Sequence, residues 1–211
     1  MPHEDNPYHV RGEPPRTQNS VVAVLDVLGF TDAMRAAYRS GDALKLLRNL
    51  RSALDRAYGH FKEHDWGARR DPSWYVKAFT DNIVVGYPIL FSDAEGELGS
   101  VLLALREYQL EMVISGFFVR GGVSIGQMYM DDEIVYGSAL LEAYDAEQSI
   151  ARDPRVVIAT SARSYVRKQF KFYADPAEAP QNQVLLSDVD EQVFVNYLGA
   201  NLRRLPGTAT F

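Results

Sequence analysis

Two aspartates follow apolar runs that are typical of buried β-strands. Asp26 comes directly after the run VVAVL, and Asp81 lies in the turn between YVKAF and IVVGY. A carboxylate at the end of a core strand is held by rigid backbone, and two converging carboxylates can hold divalent metal ions against a polyphosphate. The pair therefore predicts two-metal phosphoryl chemistry. An isolated aspartate in such a place more often caps a turn or a helix, and that alternative stays open for each.

The composition is that of an ordinary soluble globular protein. The 211 residues are 46% hydrophobic and 24% charged, which suits one large domain. The net charge of −6 argues against general nucleic-acid binding, which needs a basic surface, but allows a nucleotide pocket with a few local cations. No apolar run approaches the roughly 18 residues of a membrane span, and the polar start has no signal-peptide pattern. We therefore expect a cytoplasmic protein with neither a membrane nor a nucleic acid as partner.

The order of predicted elements indicates an α+β fold. Residues 1–19 are rich in proline and are expected to form a flexible arm, so that the folded domain covers 20–211. Mixed helices and strands without an internal repeat predict a largely antiparallel sheet covered by helices. The predicted elements are the strand Val21–Val27, a helix opening at Gly29 with Thr31 or Asp32 as N-cap, the helix Ala43–His60, the hairpin strands Trp74–Phe79 and Ile83–Pro88, the helix Gly99–Ser115, the strands Phe117–Ser124 and Gly126–Asp131, the helix Ser138–Ala151, the strand Val156–Ala159, the helix Ala162–Phe170, a loop over Asp175–Gln183 and short strands within Val184–Tyr197.

The second helix carries an apolar stripe at helical spacing. Its members are Leu44, Leu47, Leu50, Leu54 and Tyr58. A stripe of this kind normally faces the core, and we assign no chemistry to it.

Three sequence blocks in fixed order resemble the class III nucleotidyl cyclase catalytic domain. They are LDVLGFTDAM, KAFTDNIVVGYP and VRGGVSIGQMYMDDEIVYGSALLEAYDAEQS, and together they span roughly residues 20–160. The resemblance implies a ferredoxin-like antiparallel sheet covered by helices. It also implies that the first two blocks supply the metal-binding aspartates, Asp26 and Asp81.

The departures from the family pattern concern the base and the transition state. Purine cyclases carry an Asn and an Arg four and eight residues after the glycine of the third block, where this chain has Leu141 and Asp145. Ile134 stands at the polar base-reading position three residues before that glycine, whereas Lys77 matches an adenine-reading lysine. This combination is similar to the bacterial Pycsar pyrimidine cyclases. The helix residues that fit the pattern of that branch are Gly137, Ala139, Leu140, Glu142, Ala143, Tyr144 and Glu147.

That branch implies a function and partners. Its members convert UTP or CTP to the 3′,5′-cyclic monophosphate during phage infection, act as homodimers, and make a product that switches on a separate effector protein. The resemblance also implies two Mg²⁺ or Mn²⁺ ions per site, held by Asp26, Asp81 and the carbonyl of Val27.

The remaining site residues are assigned by the same resemblance. The backbone N–H groups of Leu28, Gly29, Phe30 and Thr31, at a helix start, suit the β- and γ-phosphates. Candidates for nucleotide contacts are Thr80, Lys77 and Tyr144. A purely structural role stays open for Lys77 and Tyr144.

Arg120 lies in a strand and is followed by two glycines, which leave room for a ligand. It fits either the triphosphate or an ion pair with Glu147. Both roles stay open at this point.

Two other functions compete with pyrimidine cyclisation. One is a purine cyclase on the same fold, against which the missing Asn/Arg pair counts. The other is a non-catalytic cyclase-like sensor or dimerisation module, against which the retention of both aspartates counts. Between the pyrimidines we expect UTP, because the Lys77 ammonium only donates hydrogen bonds and uracil O4 accepts them.

Overall fold

The computed structural model describes residues 6–8, 12–63 and 74–199. Within these ranges, the chain contains both strands and helices, in the mixed order of an α+β fold. The elements are β1 Gln18–Val27, α1 Phe30–Ser40, α2 Ala43–Glu63, β2 Tyr75–Phe79, β3 Asn82–Pro88, α3 Glu95–Ile114, β4 Val119–Met130, β5 Val135–Tyr136, α4 Ser138–Ser149, β6 Val156–Ile158, α5 Thr160–Gln169, β7 Leu185–Ser187 and β8 Val193–Val195. Short 3₁₀ turns at Phe170–Phe172, Pro176–Glu178 and Pro180–Gln183 connect α5 to β7.

The eight described strands form one sheet with β1 near its centre. The strand order is β2-β3-β1-β4-β6-β8-β7, and β5 pairs with β4. All pairings are antiparallel except that between β4 and β6, so the sheet is mixed. The predicted α+β class and helix-covered sheet are thereby confirmed.

The apolar run in β1 is buried on both faces of the sheet. Val21, Ala23 and Leu25 join the core that packs under α2 and α3. Val22 and Val24 point the other way and pack against α4. A strand covered on both faces reads as a continuous apolar run, and this explains why β1 is apolar without alternation.

Two predicted strands are in fact one. A break between Ser124 and Gly126 was predicted, but the ladder from β4 to β1 is continuous from Val119 to Met128. Gly126 does not break the strand. A Cβ atom there would lie 3.2 Å from the Ser138 hydroxyl, so the glycine instead lets the start of α4 approach the sheet closely.

The predicted core stripe of α2 is only half correct. Leu50 is buried, but Leu44 and Leu47 are 66% and 59% exposed. The helix α1 has no buried residue. The buried residues of α2 lie only in its later turns, at Leu50, Ala53, Ala57 and Phe61.

Part of the predicted arm is anchored to the sheet. The Tyr8 ring is buried and packs over Gly86, and Asn6 Nδ2 donates to the Met130 carbonyl at 2.8 Å. The strand β1 starts at Gln18, two residues before the predicted domain boundary. Residues 1–5 and 9–11 of the arm lie outside the described residues, as do residues 200–211 of the predicted domain.

In the described parts of the chain, each helix is too short or too polar to cross a bilayer.

Candidate active site

The two aspartates lie at the same end of neighbouring strands. In the central strand, Asp26 pairs across the ladder with Asn82 of β3 on one side and with Arg120 of β4 on the other. The next residue, Val27, donates its N–H to the Asp81 carbonyl at 3.3 Å. The sheet therefore brings the ends of β1 and β3 together, as the sequence pattern requires for a shared site.

A tight turn presents Asp81. The strands β2 and β3 pair up to Phe79 and Asn82, which leaves Thr80 and Asp81 as the two-residue connection. Thr80 takes a positive φ of 57°, a conformation that two-residue hairpins need and β-branched residues rarely adopt. The Thr80 hydroxyl lies 2.7 Å from Asp81 Oδ1 and 2.6 Å from the Phe79 carbonyl oxygen. The single hydroxyl hydrogen can go to either oxygen, so the Asp81 carboxylate lies within reach of this donor.

Arg120 lies between two carboxylates. Its Nε donates to Asp26 Oδ2 at 3.1 Å and also lies 2.7 Å from Glu147 Oε1. The Glu147 side chain is fully buried. Of the two roles that the sequence left open for Arg120, the ion pair with Glu147 is present. The contact with Asp26 was not anticipated, because it depends on the register of β1 against β4.

Burial dominates the electrostatics of Glu147. Desolvation raises the pKa of this carboxyl, and the nearby Asp26 raises it further. The hydrogen bond from Gln148 and the charge of Arg120 oppose the shift but do not cancel it. A carboxyl with a raised pKa beside a strand-end aspartate is characteristic of functional sites.

The start of α1 differs from the prediction. The helix begins at Phe30, and Gly29, with φ 70°, is the N-cap residue in place of Thr31 or Asp32. The predicted phosphate-binding N–H of Leu28 instead donates to the Phe118 carbonyl at 2.8 Å, because the chain runs on beside β4. The first N–H groups of a helix have no partner within it, so those of Phe30 and Thr31 remain candidates for a phosphate.

Lys77 is directed at the loop between β4 and β5. Its Nζ donates to the carbonyls of Asp131 and Asp132, at 3.1 and 2.8 Å. The same loop carries Ile134, whose N–H is held by Asp131 Oδ1. The two positions that the sequence analysis connected with base reading are therefore neighbours in space.

Hydrogen bonds fix this loop on both sides. The hydroxyls of Tyr75 and Tyr129 donate to the carboxylates of Asp132 and Asp131, at 2.6 and 2.7 Å. Backbone N–H groups, chiefly that of Ile134, lower the pKa of Asp131. Neither tyrosine was predicted to have this role, and Tyr75 of β2 is brought next to the loop only by the fold.

Tyr144 and Glu147 occupy different environments although they lie one helical turn apart. Glu147 faces β4, whereas Tyr144 is 48% exposed. Tyr144 is accessible to a ligand or a second protein, and nothing in the fold commits it to the core.

The donor set suits a hard divalent cation that keeps water and substrate oxygens. Within residues 6–8, 12–63 and 74–199, no group of three or more His, Asp or Glu side chains forms a ready metal cage. Mg²⁺ commonly binds through one or two carboxylates and completes its shell with waters and phosphate oxygens. Asp26 and Asp81 match that arrangement, provided that Arg120 shares Asp26 with the ion.

Comparison with solved structures identifies the fold as that of the class III cyclases. The guanylyl cyclase Cya2 matches with a TM-score of 0.53 at 12% identity, over 85% of this chain and 91% of that one. A class III adenylyl cyclase-like ATP-binding protein from Pseudomonas aeruginosa matches with a TM-score of 0.59 at 10% identity, over 90% of this chain. This chain spans 41% of the length of that second protein. No protein-family model and no curated protein matches the sequence.

Proposed function

We propose that this protein is a pyrimidine nucleotide cyclase, which converts UTP or CTP to the 3′,5′-cyclic monophosphate and pyrophosphate. The observation that carries the proposal is the placement of Asp26 and Asp81 at the joined ends of β1 and β3 in a cyclase-type sheet. Cyclisation needs the ribose 3′ hydroxyl to attack the α-phosphorus while pyrophosphate leaves. The protein's task in such a reaction is to position the groups and to stabilise charge.

The residues of the site divide this task. Asp26 and Asp81, with the Val27 carbonyl, would hold two Mg²⁺ or Mn²⁺ ions, whose charge would lower the pKa of the attacking hydroxyl and stabilise the triphosphate. The Thr80 hydroxyl lies within reach of the Asp81 carboxylate as a donor. The N–H groups of Phe30 and Thr31, beside Gly29, bind the outer phosphates.

Arg120 is the residue that we place on the triphosphate. Its Nε–H donates to the Asp26 carboxylate. Among the described residues no acceptor is recorded for the Nη hydrogens, which can therefore bind phosphate oxygens. Glu147 gives the guanidinium a second anchor, so that Arg120 stays in place when Asp26 binds a metal ion. In this arrangement Glu147 is a positioning residue and touches no substrate.

The proposed base choice rests on the loop between β4 and β5. Ile134 offers no polar side chain to the edge of a purine, and a site that leaves a polar edge unpaired rejects that ligand strongly. Two of the three N–H donors of Lys77 are used by loop carbonyls, which leaves one for uracil O4. We therefore propose UTP as the preferred substrate over CTP. Tyr144 is a further candidate for a contact with the nucleotide.

We further propose a homodimer. The helices α1 and α2 carry large apolar side chains that are at least 40% exposed, namely Met34, Tyr38, Leu44 and Leu47. A two-fold dimer over these side chains would carry two equivalent sites. The product would then act on a separate effector in the cytoplasm as part of an antiphage response.

A purine cyclase is the second candidate. The two similar structures are named as a guanylyl cyclase and as an ATP-binding protein, which favours a purine nucleotide. A non-catalytic role is the third, since the bond from Arg120 to Asp26 would also suit a purely structural ion pair.

One assay separates these candidates. The purified protein is incubated with each of the four ribonucleoside triphosphates and Mn²⁺, and the products are identified by mass. Cyclic UMP or cyclic CMP as the main product supports the proposal, and cyclic CMP would overturn only the preference for uracil. Cyclic AMP or cyclic GMP would replace the proposal with the second candidate, and no product from any nucleotide would favour the third.

A further inference from the structure

Residues 6–8 of the N-terminal segment are fastened to the sheet at three points, two of which are hydrogen bonds. Asn6 Nδ2 donates to the Met130 carbonyl at 2.8 Å. The carbonyl of Pro7 accepts a hydrogen bond from the side chain of Gln18, the first residue of β1. Contacts of this kind tie down a terminal segment that would otherwise be poorly ordered.

The third point is the ring of Tyr8, which is 3% exposed and lies over Gly86 of β3. A Cβ atom at Gly86 would come within 2.6 Å of the Tyr8 hydroxyl oxygen and 3.1 Å of its Cζ, so glycine at this position leaves room for the ring. Tyr8 belongs to the same buried cluster as Tyr75, Tyr129 and Met130. The segment therefore packs with the tyrosines that hold the loop between β4 and β5.

The orientation of the Asn6 amide is fixed by its own neighbour in the chain. The Tyr8 N–H donates to Asn6 Oδ1 at 2.8 Å, which leaves Nδ2 as the group that faces Met130. Met130 is the last residue of β4, so its carbonyl lies directly before the loop. The hydrogen bond from Asn6 therefore fixes the point at which the chain leaves the sheet.

The loop that starts at this point comprises residues 131–134 and connects β4 to β5. Its first and last residues bond to each other: the Asp131 N–H donates to the Ile134 carbonyl at 3.0 Å, and the Ile134 N–H donates to Asp131 Oδ1 at 2.7 Å. Lys77 donates to the carbonyls of Asp131 and Asp132. The loop is thus a compact unit, and its position depends on the groups that attach it to the sheet.

We propose that residues 6–8 position the β4–β5 loop, with Asn6 as the positioning residue, and thereby set the affinity of the active site for the nucleotide base. This inference rests on the proposed function, in which Ile134 and Lys77 border the base. Asn6 acts through Met130 on the geometry of the loop. Binding contacts must be held to within roughly 0.5 Å, so a loop that loses this anchor loses affinity for the base and keeps its catalytic groups.

Amide hydrogen exchange in the nucleotide-free, full-length protein tests the anchoring. Asn6→Asp keeps the acceptor for the Tyr8 N–H but has no donor for Met130, and Asn6→Ala removes both without adding a charge. We expect the Asp131 and Ile134 amides to exchange about fivefold faster in either variant, because the loop has lost one hydrogen bond to its support.

The control is Asn182→Asp, which makes the same change in a side chain that donates to the Pro176 carbonyl between α5 and β7. It should leave the exchange of the loop amides as it is. Unchanged loop exchange in both Asn6 variants would overturn the proposal. Exchange that rises equally in the loop and at the Gln192 amide, which donates to Asp190 Oδ1 beside β8, would also overturn it, because that pattern indicates a general loss of stability.

A steric pair tests the contact of the ring. Gly86→Ala drives a methyl group against the Tyr8 hydroxyl without altering residues 6–8 or the loop, and it should speed loop exchange as the Asn6 variants do. Tyr8→Phe in the same background removes the atom that lies 2.6 Å from the new Cβ and should restore part of the slow exchange. Slow loop exchange in Gly86→Ala, or equal exchange in the single and double variants, would contradict the role of the ring.

Steady-state kinetics with the nucleotide that the protein converts test the consequence for the base. In Asn6→Ala the KM should rise about fivefold while kcat changes by less than about twofold, because the lost contact serves the ground state and the transition state alike. An unchanged KM, or a fall in kcat at constant KM, would overturn the link to the base. The exchange measurement needs no substrate, so it decides the anchoring of the loop even if no nucleotide is converted and the proposed function fails.

Discussion

Arg120 and Arg155 each lie between two carboxylates, but the two clusters differ in which partner is buried. Arg120 lies near the centre of the sheet, and its partners Asp26 and Glu147 have side chains that are 16% and 0% exposed. Arg155 lies before β6 and reaches Asp188 and Asp190 in the turn of the β7–β8 hairpin, at 2.9 and 2.5 Å. There the cation is buried and the carboxylates are more than 40% exposed.

The pKa directions of the two clusters are opposite. Arg155 lowers the pKa of Asp190, because a carboxylate that keeps its contact with water gains from the nearby cation. Burial raises the pKa of Glu147 even though Arg120 is close. An ion pair whose carboxylate is fully desolvated is not an efficient way to stabilise a fold. This contrast suits the Arg155 cluster to fixing the hairpin, and it agrees with the role that we propose for the Arg120 cluster.

The largest expected effect is the loss of activity when a proposed metal ligand is removed. Asp26→Ala or Asp81→Ala should lower product formation by about 10³-fold or more, because each loses charge stabilisation worth several kcal/mol at the transition state. Asp188→Ala removes the same group from the other cluster and should change activity by less than about threefold. Initial rates with Mn²⁺, together with circular dichroism as a check on folding, measure both. Substantial turnover by a folded Asp26→Ala or Asp81→Ala variant would refute the metal assignment.

Dimer formation is expected to depend on the exposed apolar side chains of α1 and α2 and not on the hairpin. Leu47→Glu places a charge among these side chains and should yield monomers with little activity. The control is Val189→Glu, since Val189 is 99% exposed between the two aspartates of the Arg155 cluster. It should remain dimeric and active. Light scattering at assay concentration measures the mass, and a strictly monomeric wild-type protein with full activity would contradict the prediction.

The stability of the Arg120 cluster should depend on pH in a defined direction. Because the pKa of Glu147 is raised on folding, the folded protein takes up this proton more readily than the unfolded chain, and stability rises as the pH falls. Arg120→Met removes a cation that opposes this shift, so the pKa of Glu147 should rise further. The variant should lose about 3–5 kcal/mol at pH 8, as expected when one partner of a buried pair is removed, and much less at pH 5.

Urea unfolding in EDTA at the two pH values measures this difference. The control is Glu147→Gln in the same background, which has no carboxyl to protonate and should make the loss independent of pH. A loss of equal size at pH 5 and pH 8 in the single variant would show that Glu147 is not the group responsible.

The smallest expected effect is that of Arg155→Met on the stability of the fold. Arg155→Met should destabilise the fold only slightly at neutral pH, because its carboxylate partners are exposed and regain water. The pKa of Asp190 is lowered on folding, so its stabilising contribution is present at neutral pH and is lost as the pH falls through the acid range. The penalty for Arg155→Met should therefore shrink towards pH 3, where unfolding curves for the variant and wild type should converge. A penalty at pH 8 as large as that of Arg120→Met would remove the distinction between the two clusters.

Features that depend on residues adjacent in sequence could be predicted from the sequence. The run VVAVL predicted a buried strand, and the hairpin around Thr80 and Asp81 was placed within one residue at its turn. The α1 N-cap was placed wrongly, since Gly29 needs no side chain to end the turn when its backbone takes a positive φ. The division of β4 at Gly126 failed because the reason for that glycine is a contact with α4, which is distant in sequence.

By itself the sequence determined the strand-end positions of Asp26 and Asp81 and the class of the fold, since both follow from local apolar patterning and turn residues. Only the tertiary structure decided that Arg120 faces Asp26, that Glu147 is buried beside it, and that Leu47 is left exposed. The Arg120–Asp26 contact joins residues 94 positions apart. Contacts of this kind are set by the register of the strands and by the way a helix packs on the sheet, and both are fixed by burial summed over the whole sheet.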